Sequence, residues 1–308
     1  MIVISHFHNE EYLLPFWLKH HKKIFDHGIL IDSNSTDKSV EIIQKMVPNW
    51  EIIKSPMKMF DSIKMDNLIM KIEESYSDEV KIVLNTTEFL IIENREIFDK
   101  CIKKEKSIYR IPTALMIDSK LDEKEISNLI KQKNEGIWHD SLNIYYLNKR
   151  FNFSKNERAR FIHNLPTGKY LPGRHLTYHK VKKMSSNIAY LRWYYFSPWN
   201  EITIKRKLKI RDTISENDKK NGLSKMHLID EKFYFMTYEY LKNKTYEIPT
   251  LKKITKVKIL LITIIRYLLK FKFFLKYSKF FRLILHLIFP SKKIRSSISN
   301  FIYNRKVK

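Results

Sequence analysis

Glycine and cysteine are scarce in this sequence of 308 residues, and acidic residues are missing from its last fifth. The five glycines form neither a dinucleotide-binding fingerprint nor a P-loop. The single cysteine, Cys101, excludes an internal disulfide and a cysteine-based zinc site, and it is typical of a reducing compartment. Strand-forming residues begin at Met1, so we expect no signal peptide and a cytoplasmic protein.

Positive charge is concentrated at the carboxyl end of the chain. Sixteen of the 58 Lys and Arg residues lie within residues 248–308, which contain no Asp or Glu. The other 42 basic residues accompany all 33 acidic residues, a balance nearer that of an ordinary soluble domain. Because 44% of the residues are hydrophobic, a chain of this length can bury a full core. The basic tail therefore needs an explanation of its own.

The first forty residues predict a strand–helix–strand–helix unit. Two apolar runs, Met1-Ile-Val-Ile-Ser5 and Gly28-Ile-Leu-Ile-Asp32, are typical of buried strands. Residues 13–25 between them have the apolar spacing of one helix face. Polar clusters, residues 6–11 and 33–37, follow the two strands directly. In an open α/β sheet the carboxyl ends of the strands are where ligands bind.

A resemblance to a known family rests on two linked motifs, His8-Asn-Glu-Glu11 with Leu14 and Ile31-Asp-Ser-Asn-Ser-Thr-Asp37. They resemble the start of a family 2 glycosyltransferase of the GT-A (Rossmann-like) α/β fold, in the subgroup in which RNEE…LL precedes DNNSTD. The resemblance covers about residues 1–200 and is densest over 1–95. It implies transfer of a sugar from a nucleotide-sugar, for which we expect a UDP-sugar, to a glycan or lipid-linked acceptor in bacterial surface polysaccharide synthesis.

The resemblance also implies a metal motif, which this sequence alters. Where the family carries DADEFL, whose aspartates hold a divalent cation against the donor diphosphate, this chain has Asn85-Thr-Thr-Glu-Phe-Leu90. The aspartates are replaced by Asn85 and Thr87, which leaves Glu88 as the one carboxylate. Three alternatives follow: transfer without a tightly bound metal, Mn²⁺ or Mg²⁺ held by Glu88 with help from elsewhere, or an inactive relative. Glu88 as a plain polar residue after a strand is the simplest alternative.

The remaining site residues are also implied by the resemblance. Asp118 and Asp140 are the candidates for the carboxylate base that takes the proton of the acceptor hydroxyl, although each also fits an ordinary surface or capping position. Asp32 is expected on the base or ribose, and a basic stretch over 155–180 on the diphosphate, unless that stretch is a solvated loop. The candidate donor-binding residues are Phe7, His8, Asn9, Glu11, Asp32, Asn34, Asn85, Thr87, Arg174 and His175.

The carboxyl-terminal tail carries a second signal. Its stretches without Lys or Arg are too short to span a bilayer. Basic residues cluster on one side of each of two successive helical patterns within about 251–290, which is typical of helices lying on an anionic membrane. A helical cap on the enzyme domain or a dimer interface are the alternatives. Nucleic acid is not expected as a partner, because bulky aliphatic residues interleave with the charges.

We therefore predict two regions: a GT-A-like domain over 1–212 and a helical region over 213–308 that contains the amphipathic helices. The protein would be peripheral on the inner face of the plasma membrane. The rival hypothesis is a catalytically inactive GT-A-like scaffold that binds anionic membranes through its basic tail.

Overall fold

A computed structural model describes residues 1–103, 106–119, 129, 135–151 and 158–248. They belong to one compact unit, Met1–Pro249. The predicted amphipathic helices of about 251–290 lie outside the described residues. Within the described part of the chain, no helix is both long enough and apolar enough to cross a bilayer.

The described strands form two sheets of an α/β fold. The larger sheet has the order β10-β6-β9-β4-β1-β2-β3 and the smaller sheet has the order β12-β8-β7-β11-β5. The strands are β1 Ile2–Phe7, β2 His27–Asp32, β3 Glu51–Lys54, β4 Lys81–Val83, β5 Glu88–Ile92, β6 Ile108–Ile111, β7 Thr113–Ile117, β8 Glu135–Trp138, β9 Arg160–His163, β10 Lys182–Lys183, β11 Ala189–Phe196 and β12 Tyr246–Glu247.

The four strands β3-β2-β1-β4 are parallel, as the apolar runs predict. The chain proceeds outward from β1 to β2 and β3, and then returns to place β4 on the other side of β1. The loops that follow β1 and β4 therefore diverge at the carboxyl edge of the sheet. Such a topological switch point forms a crevice in which open α/β sheets bind ligands.

The helices have lengths and caps that the local sequence explains. In α3, Asp61 is the N-cap and accepts a hydrogen bond from the Lys64 amide at 3.0 Å. In α6, Asn200 accepts from the Thr203 amide at 2.9 Å. Each cap satisfies an amide that the helix itself leaves free. The helices are α1 Leu14–His21, α2 Ser39–Met46, α3 Ser62–Ser75, α4 Arg95–Ile102, α5 Ile144–Phe151, α6 Glu201–Lys209, α7 Glu216–Lys220 and α8 Glu231–Lys242.

The smaller sheet carries an aromatic core. The rings of Trp199 and Tyr238 stack with centroids 3.7 Å apart, and the Tyr234 hydroxyl donates to the Tyr195 carbonyl at 3.1 Å. Helix α8 thus packs on this sheet, so described residues beyond 212 contribute to the same core. The boundary after residue 212 stays a prediction.

Two segments differ from the sequence interpretation. Residues 160–163, within the stretch weighed as a solvated loop, form strand β9, which lies antiparallel between β4 and β6. Residues 88–92 form β5, antiparallel to β11, with Glu88 as its first residue. Both strands are stabilised by partners distant in the sequence, so a local apolar pattern does not reveal them.

Candidate functional site

A cleft at the carboxyl edge of the parallel strands consists of two adjoining chambers. The first chamber has a volume of about 340 Å³ and the second about 480 Å³. Loops after β1 and β4 contribute to both, so the cleft lies at the switch point. The residues that line both chambers are His6, Phe60, Asn85, Arg158, Trp193, Met226 and His227.

The first chamber is built by the ends of β1, β2 and β4. Phe7, His8 and Asn34 line it, as do Asn85 and Thr87, so these predicted donor-binding residues do meet at one place. Asn34 has a φ of 61°, a left-handed conformation that Asn tolerates better than most residues, and its amide donates to the Met57 carbonyl at 2.8 Å. The turn after β2 is therefore fixed in shape.

Three other predicted donor-binding residues, Asn9, Glu11 and Asp32, line neither chamber. Asn9 Oδ1 accepts from the Thr36 amide at 2.8 Å, and Glu11 Oε2 accepts from the Lys38 amide at 3.1 Å. Asp32 Oδ1 accepts from the Ser35 amide at 2.9 Å. These bonds shape the loop after β2, and those of Asn9 and Glu11 join it to the loop after β1. Donor binding by them stays a prediction.

Glu88 lies beneath the cleft in a buried ion cluster. Its Oε1 accepts from Arg158 Nη2 at 2.5 Å and Nε at 3.0 Å, and its Oε2 accepts from Arg160 Nε and the Asn85 amide, both at 2.8 Å. Its side chain is 0% exposed. Burial alone would raise the pKa of Glu88, but the charges of Arg158 and Arg160 outweigh burial and lower the pKa to about 2. Glu88 is therefore ionised in the folded protein.

The residues at this position do not fit a divalent cation. Such a cation needs several free hard oxygen ligands, but both oxygens of Glu88 are engaged by guanidinium groups. Asn85 Oδ1 is buried without a partner and offers one oxygen. Within the described ranges, no group of three or more His, Cys, Asp or Glu side chains could hold a metal ion. The assignment of Glu88 as a metal ligand stays a prediction that this donor set does not support.

The second chamber is lined by cationic groups. Arg174 pairs with Asp66, whose carboxylate also accepts from the Gly173 amide at 2.8 Å, and Arg174 Nε is buried without a partner. His175 lines the chamber beside Arg174, with its Nδ1 3.1 Å from the Ala159 carbonyl oxygen. The structure therefore brings these two predicted residues together with Arg158 and Arg160, the pair on Glu88.

Burial is the main cause, and nearby positive charges a second cause, of lowered pKa values around the cleft. Burial first, and then nearby arginine charges, lower the pKa of His6 to about 3. The same causes hold the pKa values of His175 and His227 well below the ordinary histidine value. Burial and the Arg206 charge likewise hold the pKa of Lys207 well below the ordinary lysine value. A bound anion would offset these positive charges.

Sequence reasoning did not single out Glu10 and Arg206, which pair across the first chamber. Glu10 Oε2 and Arg206 Nε are buried without partners. Burial raises the pKa of Glu10, and the Arg206 charge opposes this only in part. Next to Arg206 on α6, Lys207 Nζ lies 3.1 Å from His227 Nδ1. Glu10 could have been identified from its position within the motif His8-Asn-Glu-Glu11. The sequence of α6 indicates only a helix rich in basic residues, so it does not single out Arg206.

Neither carboxylate predicted as the base lines a chamber. Asp118 is buried, and it accepts from Ser197 Oγ at 2.7 Å and from the Trp199 amide at 2.8 Å. Asp140 forms a bidentate pair with Arg110, which lowers the pKa of Asp140. Both carboxylates thus have evident structural partners, and their catalytic role stays a prediction.

Residues 210–228 form a segment, here termed the cover, that lines both chambers. The Phe60 amide donates to the Thr213 carbonyl at 2.7 Å, which joins the cover to the start of α3. The fully buried Asp218 accepts from the Ser62 amide at 3.0 Å and from Ser224 Oγ at 2.5 Å. One carboxylate therefore joins the start of α3 to Ser224, which precedes Met226 and His227.

No protein-family model matches the chain, and a search of curated proteins finds no significant match. Among solved structures, glucosyl-3-phosphoglycerate synthase from Mycobacterium tuberculosis with Mn²⁺ and UDP aligns with 37% of this chain and 43% of that chain, at 13% identity and a TM-score of 0.26. S. aureus TarS 1-349 with UDP-GlcNAc aligns with 73% and 70%, at 13% identity and a TM-score of 0.35. A putative glucose-1-phosphate thymidylyltransferase from Bacillus anthracis aligns with 67% and 92%, at 9% identity and a TM-score of 0.35. The alignments cover 43% and 56% of the chain in two structures of the mycobacterial enzyme, and 39% of a longer TarS chain.

Proposed function

We propose that this protein is a glycosyltransferase of GT-A-like fold that transfers a sugar from a nucleotide-sugar, a UDP-sugar by preference, to a glycan or lipid-linked acceptor of the bacterial surface. The observation that carries the proposal is a switch-point cleft whose two chambers differ in chemistry. One offers amides, hydroxyls and aromatic rings around the Glu10–Arg206 ion pair, and the other is lined by the guanidinium groups of Arg158, Arg160 and Arg174. A nucleoside diphosphate has the same division between a neutral base with ribose and a charged diphosphate.

The first chamber suits the nucleoside. Its volume of about 340 Å³ lies within the range of small-molecule sites. Glu10 Oε2 and Ser33 Oγ are buried without partners, so they are ready acceptors for ribose hydroxyls. Buried polar atoms in proteins nearly always have hydrogen-bond partners, so such exceptions on a cleft wall point to a polar ligand. The rings of His6 and Phe60, stacked 5.3 Å apart, form the apolar part of the wall.

The boundary between the chambers suits the departing diphosphate. Arg158 and His227 line both chambers there, and Arg174 lines the second. Fixed cationic donors stabilise negative charge that develops on a leaving group. We assign no base to Asp118 or Asp140, because neither lies on the cleft. The acceptor approaches through the second chamber in this proposal.

Membrane docking by the tail is a separate proposal that rests on the sequence alone. Sixteen basic residues and no acidic residue in 248–308, interleaved with aliphatic residues, favour an anionic lipid surface. Docking on the inner face of the plasma membrane would place the cleft beside a lipid-linked acceptor.

Calorimetric titration with UDP, GDP and CMP tests the proposed function. We expect a nucleoside diphosphate to bind. Glu10→Gln should lower its affinity by about tenfold, which is the typical contribution of a hydrogen bond to a charged group. Glu201→Gln is the matched control, because that side chain is 79% exposed at the start of α6. Thermal melting checks that both variants are folded. Absence of binding by every nucleotide would overturn the proposed function.

A further inference from the structure

Both carboxylate oxygens of Glu88 accept hydrogen bonds from arginines of the protein itself. These guanidinium groups occupy the positions that a metal ion bound to Glu88 would need. Each oxygen accepts from one guanidinium, at 2.5 Å from Arg158 and 2.8 Å from Arg160. A metal ion at Glu88 would have to displace at least one of these groups and leave it buried without its counter-ion. Breaking a buried ion pair in this way is strongly unfavourable, because it leaves an uncompensated buried charge.

Arg158 is held in one orientation by contacts on two sides. Its guanidinium lies 4.0 Å from the centroid of the Trp193 ring, and its Nε and Nη2 both donate to Glu88. Its side chain is 14% exposed and lines both chambers, whereas Arg160 is 2% exposed and also donates to the Gly173 carbonyl. Arg158 therefore presents charge to the cleft, and Arg160 supports the cluster from beneath.

The charges of the paired groups around the cleft do not cancel. Among the described residues of these pairs, three carboxylates face four guanidiniums, which leaves one positive charge without a counter-charge. The pairs are Arg158 and Arg160 with Glu88, Arg174 with Asp66, and Arg206 with Glu10. Lys225 adds a further cation to the second chamber.

We propose that this protein binds the diphosphate of its donor through Arg158 and Arg174, without a divalent cation. Arg158 lies at the joint between the chambers, and Arg174 contributes an Nε that is buried without a partner. Guanidinium groups bind phosphate oxygens through parallel charge-assisted hydrogen bonds, so they perform the neutralisation for which other sites use a metal. The lowered histidine pKa values of the cleft agree with a fixed positive potential. The proposal rests on the proposed function and names how its donor is held.

The test is calorimetric titration of the full chain with UDP and with uridine, in EDTA, in Mn²⁺ and in Mg²⁺. We expect the affinity for UDP to agree within about twofold among the three conditions, since no metal takes part. Arg158→Gln should lower the affinity for UDP by about tenfold or more, because a charge-assisted hydrogen bond is lost, and should change the affinity for uridine by no more than about twofold. Arg95→Gln is the matched control, because Arg95 is 57% exposed and pairs with Asp99 on the surface of α4.

The metal conditions use the unaltered protein, so they remain decisive even if Arg158→Gln does not fold. Binding of UDP that disappears in EDTA and returns with Mn²⁺ would overturn this inference and leave the proposed function intact. An equal loss of affinity for UDP and for uridine in Arg158→Gln would also overturn it, because the arginine would then contact the nucleoside. Absence of UDP binding in every condition would instead overturn both proposals.

Discussion

The two chambers of the cleft are lined by different parts of the chain and differ in the chemical groups that they offer a ligand. The first is formed largely by turns that directly follow parallel strands, such as the turn after β2 in which Asn34 donates to the Met57 carbonyl. The second depends on β9, a strand inserted antiparallel between β4 and β6, which carries Arg160 and follows Arg158. The first chamber combines neutral hydrogen-bonding groups with one ion pair, Glu10–Arg206, whereas Arg158, Arg160 and Arg174 concentrate positive charge at the second. The comparison shows that the positively charged chamber depends on pairing between strands that are distant in the sequence.

The largest expected effect comes from removing the Glu88 carboxylate beneath the cleft. Glu88→Gln would leave two buried guanidiniums without a counter-ion, so we expect the free energy of unfolding to fall by about 3–5 kcal/mol. Urea titration measures this change. Glu96→Gln, at a carboxylate 77% exposed, should leave the urea midpoint unchanged.

A triple variant sharpens the same comparison. Replacing Glu88, Arg158 and Arg160 together by Met removes the charges along with their desolvation cost, so stability should recover relative to Glu88→Gln, while UDP affinity should not. If the triple variant bound UDP as the unaltered protein does, the division between the chambers would be wrong.

A smaller effect is expected from acid. The folded pKa of Glu88, about 2, lies below its ordinary value of 4.5. A lowered carboxyl pKa contributes stability that is fully present above about pH 4.5 and is lost as the pH falls through about 2, which amounts to about 3 kcal/mol. Urea unfolding at several pH values between 5 and 2 measures it. Glu88→Gln should lose less stability over this range, and identical pH profiles for the two proteins would contradict the assignment.

The smallest effect on the cleft is expected from the tail. Replacing Lys272, Lys276, Lys279 and Arg282 by Ser in the full chain should leave UDP affinity unchanged. Binding to vesicles that contain phosphatidylserine should weaken by at least tenfold, because each basic residue contributes roughly 1 kcal/mol near an anionic surface. Vesicle sedimentation at low and high salt measures this. Undiminished, salt-insensitive binding would contradict an electrostatic role for the tail.

The sequence predicted the parallel half of the fold because its signals are local. Buried strands at Ile2–Phe7 and His27–Asp32, with polar turns after them, led directly to Phe7, His8 and Asn34 on the first chamber. Glu88 follows β4 and is the first residue of β5, and the sequence alone does not reveal its partners. Arg158 and Arg160 reach it only because β9 pairs with strands that lie far away in the sequence.

Glu10 and Lys207 illustrate a different limit of the sequence. Their importance lies in burial and in neighbours from other elements, such as Arg206 for the first and His227 for the second. A helical charge pattern indicates which residues share a face, but it does not tell a solvated face from one that closes a cleft.

The Glu88 cluster also constrains how this chain could have diverged from, or could return to, a site of the kind that holds a metal. Losing Arg158 or Arg160 first would leave a buried carboxylate with half of its counter-charge, a costly intermediate for any population to pass through. Gaining an aspartate at position 85 first would add a carboxylate to the cleft wall that Arg158 also lines. Substitutions therefore have a preferred order, with acidic residues arriving before the arginines leave, and single changes in the reverse order would be selected against.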